Sequence, residues 1–138
     1  MQRCSMKIDF SGVWSGNLQK SKLLGAPPKA LLARIDHKDP ILIMEMLVTK
    51  SDDTEDKLLF RVLTTGEEVE NSVHGMQVQS CATWVGAELL IESRMNLNGR
   101  ESVLRDYWSL SNDGRMLTME HRDDALTGQI TFLDRETL

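Results

Sequence analysis

Apolar and polar residues alternate along most of the chain, and short clusters of turn-forming residues break the alternation at regular intervals. Between Met76 and His121 the runs MQVQSCATW, ELLIESRMNL, ESVLRDYWSL and RMLTMEH are separated only by VGA, NGR and SNDG. A period of two puts successive side chains on opposite faces of an extended strand. Asn98-Gly99 suits a two-residue hairpin turn, which needs positive φ at its centre, and Asn112-Asp113-Gly114 suits a longer turn ending on a left-handed glycine. The stretch is therefore read as an antiparallel meander.

The rest of the chain extends the pattern. Phe10, Gly12, Val13 and Trp14 make a short strand, with Trp14 as a plug. LQKSKLLGAPPK, with two prolines and a glycine, leaves the sheet or follows an edge, with room for at most one helical turn around Ser21–Leu24. ALLARIDHK and ILIMEMLVTK are joined at Asp39-Pro40, a turn-starting pair. The second of these runs is apolar on both faces, so a helix competes there, but its β-branched content and the tight turn before it favour a strand. Ten strands are expected, near 10–16, 30–38, 41–49, 57–64, 67–73, 76–84, 88–97, 101–110, 115–122 and 129–135. An open sheet of that size would expose long edges, so the fold class is all-β, a single antiparallel up-and-down barrel of about eight to ten strands. A sandwich is the rival, and it needs a long crossing loop that only 17–29 could supply.

With 138 residues the chain has room for one core. It divides into a frayed tail at 1–8 and one barrel domain at 9–138. Sixteen basic and 21 acidic side chains give a formal charge of −5, and no basic stripe is present, so neither nucleic acid nor an anionic membrane is an expected partner. Residues 1–10 contain no secretory apolar run and no segment is a membrane span, so a soluble, cytoplasmic protein is expected; a chain trimmed of a leader would read the same. Cys4 and Cys81 read as reduced, incidental thiols. His37 and His74 sit beside turns and read as surface residues. No metal and no cofactor are expected, because the histidines are scattered and no metal-ligand spacing occurs.

The Gly12-Val13-Trp14 triplet, together with the basic residue closing Thr131-Phe132-Leu133-Asp134-Arg135, resembles the lipocalin-type pattern of the calycin superfamily. Ser15-Gly16-Asn17 with Lys20-Ser21-Lys22, and the Trp108–Gly114 hairpin, are similar to small bacterial lipocalin-like proteins. The resemblance spans nearly the whole chain, and ten strands match its fatty-acid-binding branch. It implies that Trp14 closes one end of the barrel with Arg135 packed across it, and that the interior holds a lipid-like molecule.

If each strand turns its apolar set inward, the wall is formed by Leu58, Phe60 and Val62; Val78, Ser80, Ala82 and Trp84; Leu89, Ile91, Ser93, Met95 and Leu97; Leu117, Met119 and His121; and Ile130 and Phe132. Phe60, Trp84, Met95, Trp108 and Met119 are then candidate ligand contacts, methionine being suited to irregular shapes. Two registers of 101–110 stay open. One carries Asp106 inward beside His121, a pair able to act as a general base. The other carries Arg105 and Tyr107 inward, a pair suited to a carboxylate. Glu45 is either solvated, with Met44 and Met46 inside, or enters the cavity itself.

Three functions follow. The first is binding of a small hydrophobic ligand such as a lipid, isoprenoid, polyketide or aromatic acid. The second is a cofactor-independent lyase, isomerase or cyclase using His121, Asp106 or Tyr107. The third is a packed barrel with a structural or partner-binding role, which a cavity below ~300 Å³ would favour. A homodimer formed through an exposed strand is left open.

Overall fold

In a computed structural model the described residues are 8–23, 25–122 and 128–136, with Leu97 described by its backbone alone. The expectations for Cys4, for residues 1–7 of the tail and for the Leu24 and Leu97 side chains lie outside them. Ten strands follow one another: β1 (Gly12–Gly16), β2 (Ala30–Lys38), β3 (Ile41–Thr49), β4 (Glu55–Leu63), β5 (Val69–Val73), β6 (Met76–Val85), β7 (Glu88–Leu97), β8 (Arg100–Leu110), β9 (Met116–His121) and β10 (Ile130–Arg135). The turns form where the residues permit. Asn98 and Gly99 take φ of 54° and 78°, and His74 and Gly75 take 51° and 78°, the pairs of positive values that match strand twist in tight hairpins.

All ten strands belong to one antiparallel sheet, ordered β4-β3-β2-β1-β10-β9-β8-β7-β6-β5. The first and last strands meet, with Trp14 opposite Arg135 and Gly16 opposite Leu133 in the β1–β10 ladder. That pairing curls the meander into a barrel. Closure is nearly complete: β4 and β5 share no ladder, and a side chain bridges their seam. The amide of Asn71 on β5 donates to the Arg61 carbonyl at 2.9 Å and accepts from the Arg61 N–H at 3.0 Å. One residue thus stands in for a ladder pair, where full closure by strand pairing was expected.

The core sits at one end of the barrel. Phe10 and Trp14 are fully buried, with Ala33, Leu42, Leu89, Leu117 and Leu133 around them. The indole N–H of Trp14 donates to the Phe10 carbonyl at 2.9 Å, so the buried donor is satisfied. Phe10 stacks on Trp84 and meets the edge of Trp108, with ring centres 6.0 and 5.9 Å away. His37 completes the plug, buried instead of lying on the surface as its place beside a turn suggested. The backbone N–H of Phe10 donates to its Nδ1 at 3.1 Å, so the proton resides on Nε2, which donates to Asp39 at 3.0 Å.

Two further expectations are corrected. In β10 it is Leu133 that is buried, while Ile130 and Phe132 face outward. Pairing with Trp14 fixes the parity: Arg135 must share the tryptophan's face, and Leu133 and Thr131 follow it at intervals of two. The outward Phe132 is covered by Lys20, whose Nζ lies 5.0 Å from the ring centre. Among the described residues of 17–29 no helix forms. Instead the chain makes a turn at 18–20, where Ser21 N–H donates to the Asn17 carbonyl at 3.0 Å, and then Lys22 bridges Ile130.

Candidate functional site

At the end away from the plug the interior is hollow. A cavity of about 340 Å³ is lined by Met44 and Met46 from β3, Leu58 and Phe60 from β4, Ile91 and Ser93 from β7, Asp106 and Trp108 from β8, Met119 and His121 from β9, and Gln129 and Thr131 at β10. Its volume lies at the lower end of the range of small-molecule sites, roughly 300–1,000 Å³. Small side chains help create the space. Ser80 and Ser93 meet across β6 and β7, their hydroxyls 3.0 Å apart and both buried, where larger residues would reach into the barrel.

The register of β8 settles the alternative left open by the sequence. Asp106 lies directly opposite His121 in the β8–β9 ladder, and both line the hollow. The neighbouring pair carries the backbone hydrogen bond, from Arg122 N–H to the Arg105 carbonyl at 2.9 Å. Asp106 and His121 are therefore a non-hydrogen-bonded pair, the kind whose side chains stand closest across two strands. The imidazole Nδ1 and the Asp106 carboxylate are in direct hydrogen-bonding contact. An N–H donated from Nδ1 to the carboxylate orients the ring and makes Nε2 the basic nitrogen of the neutral form. The backbone N–H of His121 is held in turn by the Gln129 carbonyl at 2.9 Å.

The same register excludes the carboxylate-binding trio. Arg105 lies outside the barrel with its Nε 3.0 Å from Glu92. Tyr107 is also outside, beneath the Arg122 guanidinium, which stands 4.0 Å from its ring centre and is anchored to Glu88 and Glu120. Glu45 takes the solvated option, 3.2 Å from Lys57, which leaves Met44 and Met46 to the interior. Trp84 belongs to the plug, stacked on Phe10 and His37, and does not line the hollow. Met95 sits farther along β7, beside Gln77, Gln79 and Arg94. The sequence-predicted candidates brought together at the hollow are thus His121, Asp106, Phe60, Trp108 and Met119.

Alternation alone does not reveal Gln129 and Thr131, because their neighbours Ile130 and Phe132 are the more apolar set and are expected inside. Only the pairing of β10 with Trp14 could have exposed them. Among the described residues no group of three or more His, Cys, Asp or Glu side chains could hold a metal ion. Cys81 is a free thiol, which burial and then the nearby Glu92 push upward from its ordinary pKa. No helix among the described residues is long and apolar enough to cross a membrane.

No protein-family model and no curated relative matches the sequence. Solved structures do match in shape. The wild-type fluorescent protein UnaG superposes with a TM-score of 0.63 at 16% identity, covering 92% of this chain and 97% of that one. What the two share is the fold, an antiparallel up-and-down barrel, here of ten strands. An alanine mutant of UnaG gives the same score and identity over 94% of this chain and 97% of its own. At this identity the similarity concerns the course of the backbone, and what the barrel holds must be argued from its own lining.

Proposed function

We propose that the protein binds a small, largely apolar molecule in the hollow end of its barrel. The observation that carries this reading is the cavity of about 340 Å³ walled by Met44, Met46, Leu58, Phe60, Trp108 and Met119. A barrel with only a structural role gains nothing from unfilled space, because each missing contact forfeits dispersion and leaves a cavity cost. Its methionines can reshape around a guest, and Trp108 supplies a flat apolar face. The fold shared with UnaG is compatible with such a role and does not establish it. Native mass spectrometry of the purified protein tests the reading: a copurified small molecule released on denaturation is the expected result. Failure to retain or take up any apolar compound would overturn it.

The Asp106–His121 contact within the same hollow favours a second reading, a cofactor-independent lyase, isomerase or cyclase. A carboxylate-oriented imidazole can move a proton on a substrate held against apolar walls. His121→Gln and Asp106→Asn discriminate the two. Lost turnover with unchanged substrate affinity supports catalysis, whereas a parent protein without turnover on the molecule it retains leaves binding as the function.

A further inference from the structure

Resting on the binding reading above, we infer that the hollow selects molecules whose polar end is a hydrogen-bond donor without negative charge, a hydroxyl or an ammonium group, and disfavours carboxylates. The inference comes from the sign of the charge in the wall. Asp106 lines the hollow, and none of the described lining residues is Lys or Arg. Of the described basic side chains beside lining positions, Arg105 is paired outside with Glu92, Arg122 with Glu88 and Glu120, Lys57 with Glu45, and Arg94 with Glu68.

His121 does not reverse this balance. Its protonated ring beside the Asp106 carboxylate makes a pair of zero net charge, and its neutral ring leaves the pair at −1. In neither state do the described lining residues offer a surplus cation for an anion to meet. A carboxylate ligand would therefore lose its water and gain a like charge. A donor group fares better. A carboxylate is an acceptor with about four lone-pair sites, so a donor head group meets Asp106 with matching polarity where an anion meets it with like charge. The Ser93 and Thr131 hydroxyls, also on the hollow, can turn a lone pair to receive a second bond from the same head group.

Calorimetric titration of the whole protein with decan-1-ol, decylamine and decanoate tests this, because the three share one tail and at about pH 7.5 carry no charge, a positive charge and a negative charge. Decylamine and decanoate both lose an ionic hydration shell, so the difference between them isolates the sign. The expected result is that decanol or decylamine binds at least about tenfold more tightly than decanoate. Which of the two binds better identifies the head group. In Asp106→Asn the decanoate affinity should rise and the gap should narrow, a change that general greasiness of the tail would not produce. Decanoate binding as tightly as both others, or a gap unchanged in Asp106→Asn, overturns the inference and leaves the binding reading standing. Absence of binding by all three, and by the uncharged dye Nile red, overturns both.

Discussion

The guanidinium carbon of Arg135 lies 4.2 Å from the centre of the Trp14 ring, at the closed end of the barrel. Its Nε donates to the Gly114 carbonyl at 2.9 Å and its Nη1 to the Ser11 carbonyl at 2.8 Å. One side chain therefore ties the last strand to the β8–β9 turn and to the segment entering β1, while covering the indole. A lysine carries the same charge on a single point and lacks the planar fork needed for both carbonyls and the ring. Arg135→Lys should lower stability by about 1–2 kcal/mol and Arg135→Ala by more, about 2–4 kcal/mol. Denaturant midpoints, with near-ultraviolet dichroism of the tryptophans, measure both.

Gly12 is the position that lets this contact form. Its φ is 142°, and a Cβ placed there would lie 2.6 Å from Arg135 Nη1. The guanidinium could swing aside, but only by leaving the Ser11 carbonyl and the indole, and the backbone strain would persist in any case. Gly12→Ala should cost about 1–3 kcal/mol. In the Arg135→Ala background the steric part of that cost disappears, so a double-mutant cycle should show the two losses to be less than additive.

At the opposite wall the seam between β4 and β5 depends on Asn71. Asn71→Leu keeps the volume and removes both hydrogen bonds to the Arg61 backbone, leaving an N–H and a carbonyl without those partners. A loss of about 1–3 kcal/mol is expected. The Arg61 amide should exchange with solvent deuterium faster than in the parent, while amides in the β1–β10 ladder keep their relative protection. Uniform acceleration of all amides would show instead that Asn71 acts on global stability alone.

The strands and their turns were legible because local chemistry and global fold agree there: alternation in Val78, Ser80 and Ala82, or Leu117, Met119 and His121, predicts the inward face correctly. Where they disagree the pattern misleads. Ile130 and Phe132 are more apolar than Gln129 and Thr131, yet the ladder to Trp14 turns them outward, where Lys20 covers the Phe132 ring and the Ser21 hydroxyl bonds its backbone. His37 looked like a turn residue because its partners are the Phe10 backbone, distant in sequence, and an aspartate that alone signals only a turn. The Asn71 bridge and the incomplete closure hang on one polar residue in a strand that reads as ordinary. Of the candidate site, the Asp106–His121 pair was one of two registers, and only strand pairing could choose between them.

Asp39 makes stability depend on pH. Burial pushes its carboxyl upward, but hydrogen bonds from His37, Thr64 and Trp84 outweigh it and hold the group below its ordinary value. A carboxyl with a depressed folded-state pKa contributes stability that is fully present above the unfolded value, near pH 4, and is lost as the pH falls through the folded value. Parent and Asp39→Asn should therefore differ most in melting temperature at about pH 6 and converge as the pH falls below about 4. A constant difference over that window would place the effect in packing instead of charge.

Met46 tests whether the hollow has room for a guest. Its side chain lines the cavity and is only partly buried, so an indole introduced there can enter the 340 Å³ without displacing the plug. Inserting bulk into a filled core forces strained rotamers and costs about 1–3 kcal/mol. Inserting it into an unfilled cavity gains contacts and costs little or stabilises. Met46→Trp should hold or raise the melting temperature and weaken decanol binding at least about tenfold, since the guest loses the volume it needs. A destabilised variant that still binds would mean that the guest sits elsewhere, whereas a destabilised variant of a parent that binds nothing would mean that the barrel is packed through. The two measurements are read together because each alone can mislead: affinity falls in any unfolding variant, and stability can rise through a tryptophan lying flat on the rim.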